Sequence, residues 1–314
     1  MAMARESRSV PGIIETLSAG FESINRIIWI LLFPIGIDLL LWLAPRLSVA
    51  SLVEQAFASL GPVLEEAEQN PSLDGQQAFE QVQQLVANSN LLGTISRTFA
   101  SIPSVGPDQF VAGAGTIEVS SLGTAVVLFV ALQLVGLALG AVYYGAIAQQ
   151  VRDGAPNWGA LPHVAGKAWL RILGFIGLVI GLTIAIGIPM SLAIVALTLV
   201  AQPVGVLLGQ AFGFLLTLLY LWALLYLFFL LDAIVVSNVG PISAIKNSVR
   251  VVNQNFWGTI GLVALIFVIS GGTSVIWSAL ASQPWGLFVS IIGNAYVMSG
   301  LAAASMVFYR NRLN

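Results

Sequence analysis

Six long apolar runs constrain this sequence more than any other feature. A helix needs about 18 or more such residues to cross the hydrocarbon core of a bilayer. Only 8% of the residues are charged and 58% are hydrophobic, and a water-soluble fold could not bury so much apolar surface. The sequence therefore predicts an all-α, polytopic membrane helical bundle with six transmembrane helices. The predicted spans are residues 27–44, 122–147, 168–200, 204–231, 258–280 and 287–308.

Two of these runs are longer than one straight crossing requires. A span needs about 20 residues and tolerates about 25 when it is tilted, and the runs 168–200 and 204–231 exceed both values. Pro189 gives the third run a place to bend, because proline lacks the N–H that an α-helix uses. A split of this span into two shorter helices at Pro189 is left open.

The distribution of Lys and Arg predicts the orientation of the chain. Ten of the twelve lie before the first span, after the last one, or in and around the connections that follow the second and fourth spans. Only Arg46 and Arg97 lie elsewhere, within residues 45–121. Because cytoplasmic loops are enriched in basic residues, we expect a protein of the cytoplasmic (inner) membrane with both termini in the cytoplasm and residues 45–121 outside it.

The first span is expected to be retained rather than cleaved. Residues 48–50 have the small-x-small form of a signal-peptidase site, but the apolar stretch before them is longer than a signal peptide's and follows about 26 other residues. We therefore expect a single membrane domain over residues 1–314, with an extracytoplasmic helical insertion at 45–121.

That insertion differs in composition from the spans. It carries eight acidic residues and two arginines, and residues 52–64 and 78–86 each present an apolar helical face. Such faces need a partner, because large exposed apolar patches are uncommon in monomers. We expect a cap packed on the bundle, with a docking surface for another subunit as the alternative.

Amphipathic stretches precede the odd-numbered spans. Those that begin at Pro11 and Pro241 have helical periodicity, and proline costs no hydrogen bond in the first turn of a helix. We expect both to form helices at the cytoplasmic interface. A third stretch, 161–171, fits less well because Pro162 and Gly166 interrupt it. The pattern indicates either three copies of one unit or the amphipathic residues that flank the spans of any membrane protein.

Four polar residues within the spans are candidates for a site. Asp38, Gln133, Gln210 and Asn294 fall in the outer half of the first, second, fourth and sixth spans, and ionisable groups inside spans are the usual markers of function. One interpretation is an interior polar layer that binds a solute, a proton or a lipid headgroup, with Asp38 as its charged member. The other is that the amides join helices and that Asp38 is protonated or hydrogen-bonded within its helix.

Glycines recur every four residues on three of the predicted spans. This spacing lets two helix backbones approach closely, so dispersion forces can hold them together. We therefore expect helix packing at these positions, with the fourth span as the central helix. The glycines are Gly136 and Gly140 in the second span, Gly177 and Gly181 in the third, and Gly205, Gly209 and Gly213 in the fourth.

The sequence lacks the residues that many activities require. It has no cysteine, which excludes disulfides, thiol catalysis and thiolate metal sites. His163 is the only histidine, and no zinc-protease, α/β-hydrolase or P-loop motif occurs. A net charge of −2 without a basic run speaks against a nucleic-acid partner. We expect a non-enzymatic protein without catalytic residues, cofactor or metal.

Two function classes remain. In the first, the protein is a structural or accessory subunit of a membrane assembly, with lipids and other membrane subunits as partners. In the second, it is a transporter-like or lipid-handling module that uses the polar layer around Asp38. Sparse intramembrane charge favours the first, because ion-coupled transporters usually carry ionisable residues along their path.

A short stretch after the fourth span carries a family resemblance. It reads Asp232-Ala-Ile-Val-Val, then Gly240-Pro-Ile-Ser-Ala244-Ile, then Ser248, and then Asn255-Phe-Trp257. The stretch, residues 232–262, resembles the same region of a broad group of six-helix bacterial membrane proteins, which includes the membrane domain found beside glycerophosphodiester phosphodiesterases. The resemblance implies a six-helix membrane fold rather than a particular activity. The insertion at 45–121 is longer than the first hairpin usual in that group.

Overall fold

The computed structural model describes residues 11–55, 90–106, 115–281 and 283–313. The apolar helical face expected at 78–86, and most of the one expected at 52–64, lie outside the described residues. Both faces therefore stay predictions, as does their role as a cap or a docking surface.

Helices dominate the described chain. Two 3₁₀ helices, Ile28–Leu31 and Leu91–Ile95, and two short strands, β1 (Arg46–Ser48) and β2 (Thr116–Glu118), accompany them. The α-helices whose two ends are both described are α1 (Ile13–Arg26), α2 (Leu32–Leu43), α3 (Leu122–Asp153), α4 (Leu161–Val200), α5 (Gln202–Tyr226), α6 (Leu230–Val236), α7 (Pro241–Gln254), α8 (Phe256–Ala281) and α9 (Pro284–Arg312).

The helices confirm an all-α polytopic architecture. Within the described residues, five helical stretches are long and apolar enough to cross a membrane, and α1 with Ile28–Leu43 makes a sixth if this pair, bent by 89°, counts as one broken span. The five are Leu122–Asp153, Leu161–Val200, Gln202–Val236, Phe256–Ala281 and Trp285–Arg312.

The third and fourth spans differ from their expected bounds. α4 continues through Pro189 without a break, so the split left open above does not occur. At 40 residues and 1.5 Å per residue, α4 is about 60 Å long, about twice the hydrocarbon thickness of a bilayer. α5 ends earlier than the fourth apolar run, at Tyr226, and α6 follows it.

Two of the three amphipathic stretches form separate helices. α1 buries one face, at Thr16, Gly20 and Ile24, and α7 begins at Pro241 as expected. The stretch 161–171 is instead the first part of α4, because a proline in the first turn starts a helix and nothing after it ends one. The second copy of the suggested repeat therefore has no separate interfacial helix.

Contacts divide the chain into two compact units. Unit 1 comprises Met1–Ile27, Tyr144–Val268 and Gly300–Asn314, and unit 2 comprises Ile28–Tyr143 and Ile269–Ser299. Helices α3, α8 and α9 contribute one part to each unit. The single membrane domain over residues 1–314 stays a prediction, and the two units are described separately.

Unit 1 has an aromatic core beside a helix break. Phe229, between α5 and α6, is fully buried and stacks on Phe308 of α9, with 5.3 Å between ring centroids. The hydroxyl of Ser248 in α7 accepts a hydrogen bond from the Phe229 N–H at 3.2 Å and donates one to the carbonyl of the last α5 residue at 2.7 Å. One side chain of α7 thus satisfies backbone groups that the break leaves unpaired.

Helices α4 and α5 of unit 1 pack along each other as a hairpin. The chain turns at Ala201, whose N–H donates to the carbonyl of Leu197 at 2.7 Å. No residue in the most apolar window of α4 is buried, and Leu199 and Val200 are more than four fifths exposed. The hairpin therefore presents apolar surface on its outer faces.

In unit 2 the two ends of the insertion meet. β1 and β2 pair in parallel, with Arg46 opposite Thr116. The side-chain oxygen of Asn90 accepts hydrogen bonds from the N–H groups of Leu47 and Leu92, both at 3.1 Å. Asn90 thereby caps the 3₁₀ helix Leu91–Ile95 and fixes the start of residues 90–106 beside β1.

Candidate functional site

Asp38 is a fully buried carboxylate in α2. Its Oδ1 accepts a hydrogen bond from the hydroxyl of Ser104, and its Oδ2 accepts one from the N–H of Val105 at 3.2 Å. Burial without donors would be costly, because a carboxylate loses its hydration on leaving water. Both donors come from a part of the chain that is not helical, so a loop stabilises the charged residue of a span.

We call residues 90–106 the polar segment. After the 3₁₀ helix Leu91–Ile95 it continues without regular structure to Gly106. Three of its hydroxyls bond within it: Thr94 donates to the carbonyl of Leu91 at 2.8 Å, Ser96 donates to the carbonyl of Gly93 at 3.0 Å, and Ser104 accepts from the N–H of Gly106 at 3.2 Å. Serine and threonine side chains offer the backbone partners that a helix would otherwise supply. The polar side chains beyond Asn90 are Thr94, Ser96, Arg97, Thr98, Ser101 and Ser104.

The polar segment packs on the two glycines of α3. A Cβ atom at Gly136 would come closer than 3.0 Å to the carbonyl oxygen of Ile95, and one at Gly140 would come equally close to that of Ala100. Backbone therefore approaches both glycines. The approaching backbone is the end of the short 3₁₀ helix at Ile95 and the irregular chain at Ala100, and not the second long helix expected from the spacing. Glycine lets this backbone come close because it has no Cβ atom.

This contact lies halfway along an apolar helix. Gly136 is about 21 Å from the first residue of α3 and about 26 Å from the last, at 1.5 Å per residue. Non-helical backbone at such a depth in a membrane is tolerated only where protein or a water-filled cavity supplies its hydrogen-bond partners. Asp38 supplies such partners to the polar segment.

Two other residues of the expected polar layer belong to unit 2. The amide of Gln133 in α3 donates to the carbonyl of Thr94 in the polar segment at 3.5 Å. Asn294 of α9 is 7% exposed, and its Nδ2 has no acceptor within the described part of the chain. In that part of the chain, Asp38 and Gln133 are bonded to the polar segment rather than to each other.

Gln210 is placed differently. It is exposed on α5 and belongs to unit 1, whereas Asp38, Gln133 and Asn294 belong to unit 2. Its membership of a common layer stays a prediction.

A cavity of about 410 Å³ borders the polar segment. This volume lies within the range of small-molecule sites, about 300 to 1,000 Å³. One of its hydroxyls, that of Thr98, is buried and has no hydrogen-bond partner among the described residues. Asn294 lies one helical turn from the lining residue Met298, on the same face of α9. The lining residues are Ser96, Arg97, Thr98, Ser101, Ile102, Pro103, Ser104, Gly106 and Met298.

The cavity residues were not predicted from the sequence. Arg97 indicated only the orientation of the chain, and no role was expected for the hydroxyls near it. The signal that could have found them is the closely spaced run of serines and threonines around Arg97, one of only two basic residues in an otherwise acidic insertion.

Of the other glycines expected to pack helices, two in α5 contact α4 and the rest face open space. A Cβ atom at Gly205 would come closer than 3.0 Å to the backbone of Thr198 in α4, and one at Gly209 would lie 3.5 Å from Ile194. Added Cβ atoms at Gly177, Gly181 and Gly213 would meet nothing within 4 Å.

The fourth span is therefore not a central helix. Gly205 is the one buried residue of α5, and the close contacts of its glycine face are with α4. Those glycines allow a tight hairpin turn rather than a crowded bundle centre, because the chain returns directly onto α4 after Ala201.

Unit 1 holds a second buried carboxylate, Asp232 of α6. It is 5% exposed, and its Oδ2 has no hydrogen-bond partner among the described residues. Across residues 11–55, 90–106, 115–281 and 283–313, no group of three or more His, Asp or Glu side chains is placed to hold a metal ion.

Comparisons of the chain with protein-family models, with curated proteins and with solved structures gave no match. The resemblance of residues 232–262 to the membrane domain found beside glycerophosphodiester phosphodiesterases therefore stays a prediction.

Proposed function

We propose that this protein is a non-enzymatic, multi-pass membrane protein that binds a small polar solute or a lipid headgroup in the interior of unit 2. The strongest support is the pair of hydrogen bonds that Ser104 and Val105 donate to the buried Asp38. They hold the hydroxyl-rich polar segment, which is irregular after its short 3₁₀ helix, beside the centre of an apolar helix. Transporters commonly build their sites from such irregular backbone near the middle of the membrane.

Packing alone does not explain this arrangement. A buried ionic group can often be replaced by apolar side chains of similar volume without loss of stability. A chain that needed only to hold its helices together would gain nothing from a buried carboxylate, an unpaired threonine hydroxyl and a cavity. A ligand accounts for the cavity and for the threonine hydroxyl, and the carboxylate holds in place the segment that lines the cavity.

The hydrogen bonds of Asp38 favour binding over catalysis. Both carboxylate oxygens already accept hydrogen bonds from the polar segment. A general base needs an oxygen within reach of the proton that it removes from a substrate. Asp38 is therefore better suited to hold the polar segment in place, and we assign the protein no catalytic residues and no cofactor.

The proposal includes the orientation indicated by the basic residues. Both termini lie in the cytoplasm, residues 45–121 lie outside it, and the membrane is the cytoplasmic one. Because the chain has no cysteine, single cysteines can report orientation without a background. A membrane-impermeant maleimide should label Ser120→Cys in intact cells and should label Ser243→Cys only after the membrane is opened. The reverse pattern would overturn the orientation.

Co-purification tests the binding function. The full chain is extracted from cell membranes in mild detergent, and the lipids and small molecules that accompany it are measured by mass spectrometry. We expect one compound to be enriched over the bulk membrane in the wild type and lost in Asp38→Ala. Glu22→Ala, which removes an exposed carboxylate from α1, is the matched control and should retain it.

Retention of the compound in a folded Asp38→Ala variant would contradict the proposal. If Asp38→Ala does not fold, Ser104→Ala removes one of the two hydrogen bonds and leaves the carboxylate in place. Thermal unfolding of each variant shows which case applies.

A structural or accessory subunit of a membrane assembly is the second candidate. It is favoured by the exposed apolar surface of the α4–α5 hairpin, where the most apolar window of α4 has no buried residue. In a bilayer such a surface is covered by lipid or by helices of another subunit. A stoichiometric membrane protein in the same purification would support this candidate, and a chain that purifies alone would speak against it. Neither candidate involves nucleic acid.

A further inference from the structure

The cavity beside the polar segment combines one positive charge with hydroxyl groups. We infer that it binds a phosphate group, held by the guanidinium of Arg97 and the hydroxyl of Thr98. This inference rests on the proposed function and names the chemical class of its ligand.

Arg97 determines the charge of the ligand. It is exposed at the surface of the polar segment, and among the described residues that line the cavity no other carries a formal charge. Asp38 is fully buried beneath the segment and does not line the cavity. A guanidinium presents a planar fork of donors that fits two phosphate oxygens at once.

Thr98 provides a donor in a fixed position. Its residue is 8% exposed, and its hydroxyl is buried without a partner among the described residues. Its methyl group lies against Gly136 of α3, so the side chain cannot turn freely. A buried hydroxyl without a hydrogen bond costs free energy, and a ligand oxygen would remove that cost.

The hydroxyls divide into two roles. Ser96 donates to the carbonyl of Gly93, and Ser104 donates to Asp38, so both hold the polar segment in shape. Thr98 is left as a hydroxyl of the lining that has no partner among the described residues. A phosphate group suits such a site, because its several oxygens accept bonds from an arginine and from a hydroxyl together.

The cavity is larger than a bare phosphate ion requires. Its volume is about 410 Å³, and part of its lining is apolar, from Ile102, Pro103 and Met298. A phosphate ester fits this combination, with its phosphate at Arg97 and its organic part against the apolar side. Such a group can come from a phospholipid headgroup or from a water-soluble phosphate ester.

Calorimetry on the purified full chain in detergent tests the inference with three probes. They are dioctanoyl phosphatidylglycerol, dioctanoylglycerol, which has the same chains without phosphate, and glycerol 3-phosphate, which has the phosphate without chains. We expect at least one phosphate probe to bind at least about tenfold more tightly than dioctanoylglycerol, as for one charge-assisted hydrogen bond. Binding of the lipid alone identifies a headgroup site, and binding of glycerol 3-phosphate identifies a site for soluble esters.

Matched variants separate this site from general charge. Arg97→Gln should weaken the phosphate probe at least about tenfold, and the isosteric Thr98→Val should weaken it several-fold. Arg46→Gln removes the other arginine of the insertion, which does not line the cavity, and should leave binding unchanged. If Arg97→Gln unfolds, Arg97→Lys keeps the charge and should retain part of the affinity.

Three results would overturn the inference: equal binding of all three probes, wild-type affinity in a folded Arg97→Gln variant, or equal losses in Arg97→Gln and Arg46→Gln. These outcomes are distinct from failure of the proposed function. If Asp38→Ala loses its co-purified compound while Arg97→Gln retains it, only the phosphate assignment fails.

Discussion

Helices α3 and α4 carry the same glycine spacing in opposite surroundings. In α3, Gly136 and Gly140 lie directly beneath the carbonyls of the polar segment. In α4, added Cβ atoms at Gly177 and Gly181 would meet nothing within 4 Å. The spacing alone therefore identifies a face of low bulk. Whether that face is used depends on whether another part of the chain reaches it.

The two helix faces also differ in what covers them. The α3 face is covered by polar, non-helical chain that needs partners such as Asp38, whereas the α4 face presents only apolar surface. A site with chemical specificity can form at the first face and not at the second, because only the first brings polar groups together.

The largest expected effect is at the covered face. Gly140→Leu would drive a side chain into the backbone of Ala100, and we expect it to lower the free energy of unfolding by about 3 kcal/mol, the upper part of the range for overpacking. Gly181→Leu is the matched control and should not lower stability, because its side chain meets open space and leucine favours a helix over glycine. Denaturant unfolding in detergent measures both, and equal losses would remove the contrast between the two faces.

Asp38→Ala tests whether the polar segment depends on the carboxylate. It leaves the hydroxyl of Ser104 and the N–H of Val105 without their acceptor, and we expect a loss of about 2 kcal/mol. Asp38→Asn keeps one acceptor oxygen and should cost less. The same unfolding measurement applies, and an unchanged midpoint in Asp38→Ala would mean that these hydrogen bonds do not hold the segment.

Gly205→Ala tests the one close contact within the hairpin. The new methyl group would meet the backbone of Thr198, and we expect a loss of about 1.5 kcal/mol. Gly213→Ala on the same helix face is the control, since it meets nothing within 4 Å. Similar midpoints for the two variants would show that the hairpin can separate without cost.

The smallest effect is expected at the open face. Gly177→Ala places a methyl group in open space, and alanine favours a helix over glycine by about 0.5 to 1 kcal/mol. We therefore expect a small gain in the unfolding midpoint. A clear loss would mean that α4 has a close partner in the membrane, and would favour the accessory-subunit candidate.

The spans were predictable because a long apolar run has few alternatives to a membrane helix. Their ends were not, since α3 continues to Asp153 and α4 begins at Leu161, beyond the apolar runs. Polar residues can extend a helix where the neighbouring chain covers them: Gln149 and Gln150 in the last turns of α3 are both buried. The hydropathy of the sequence does not show which polar residues the folded chain buries.

The candidate site was predictable only in part. Asp38 was noticeable because an ionisable residue inside an apolar run is rare. Arg97 and Thr98 were not, because they lie in a segment whose composition indicates an external insertion. Only folding places that segment against the middle of α3.

The sequence by itself determined that this is an all-α membrane protein, which five helices of the described chain are long and apolar enough to span a membrane, and that an amphipathic helix begins at Pro241. Those properties depend on residues that are close together along the chain, as the hydrogen bonds of a helix do. The tertiary structure decided which glycine face is covered and what surrounds Asp38. The bond from Ser104 to Asp38 joins residues 66 positions apart, and a contact of that kind exists only after the chain has returned on itself.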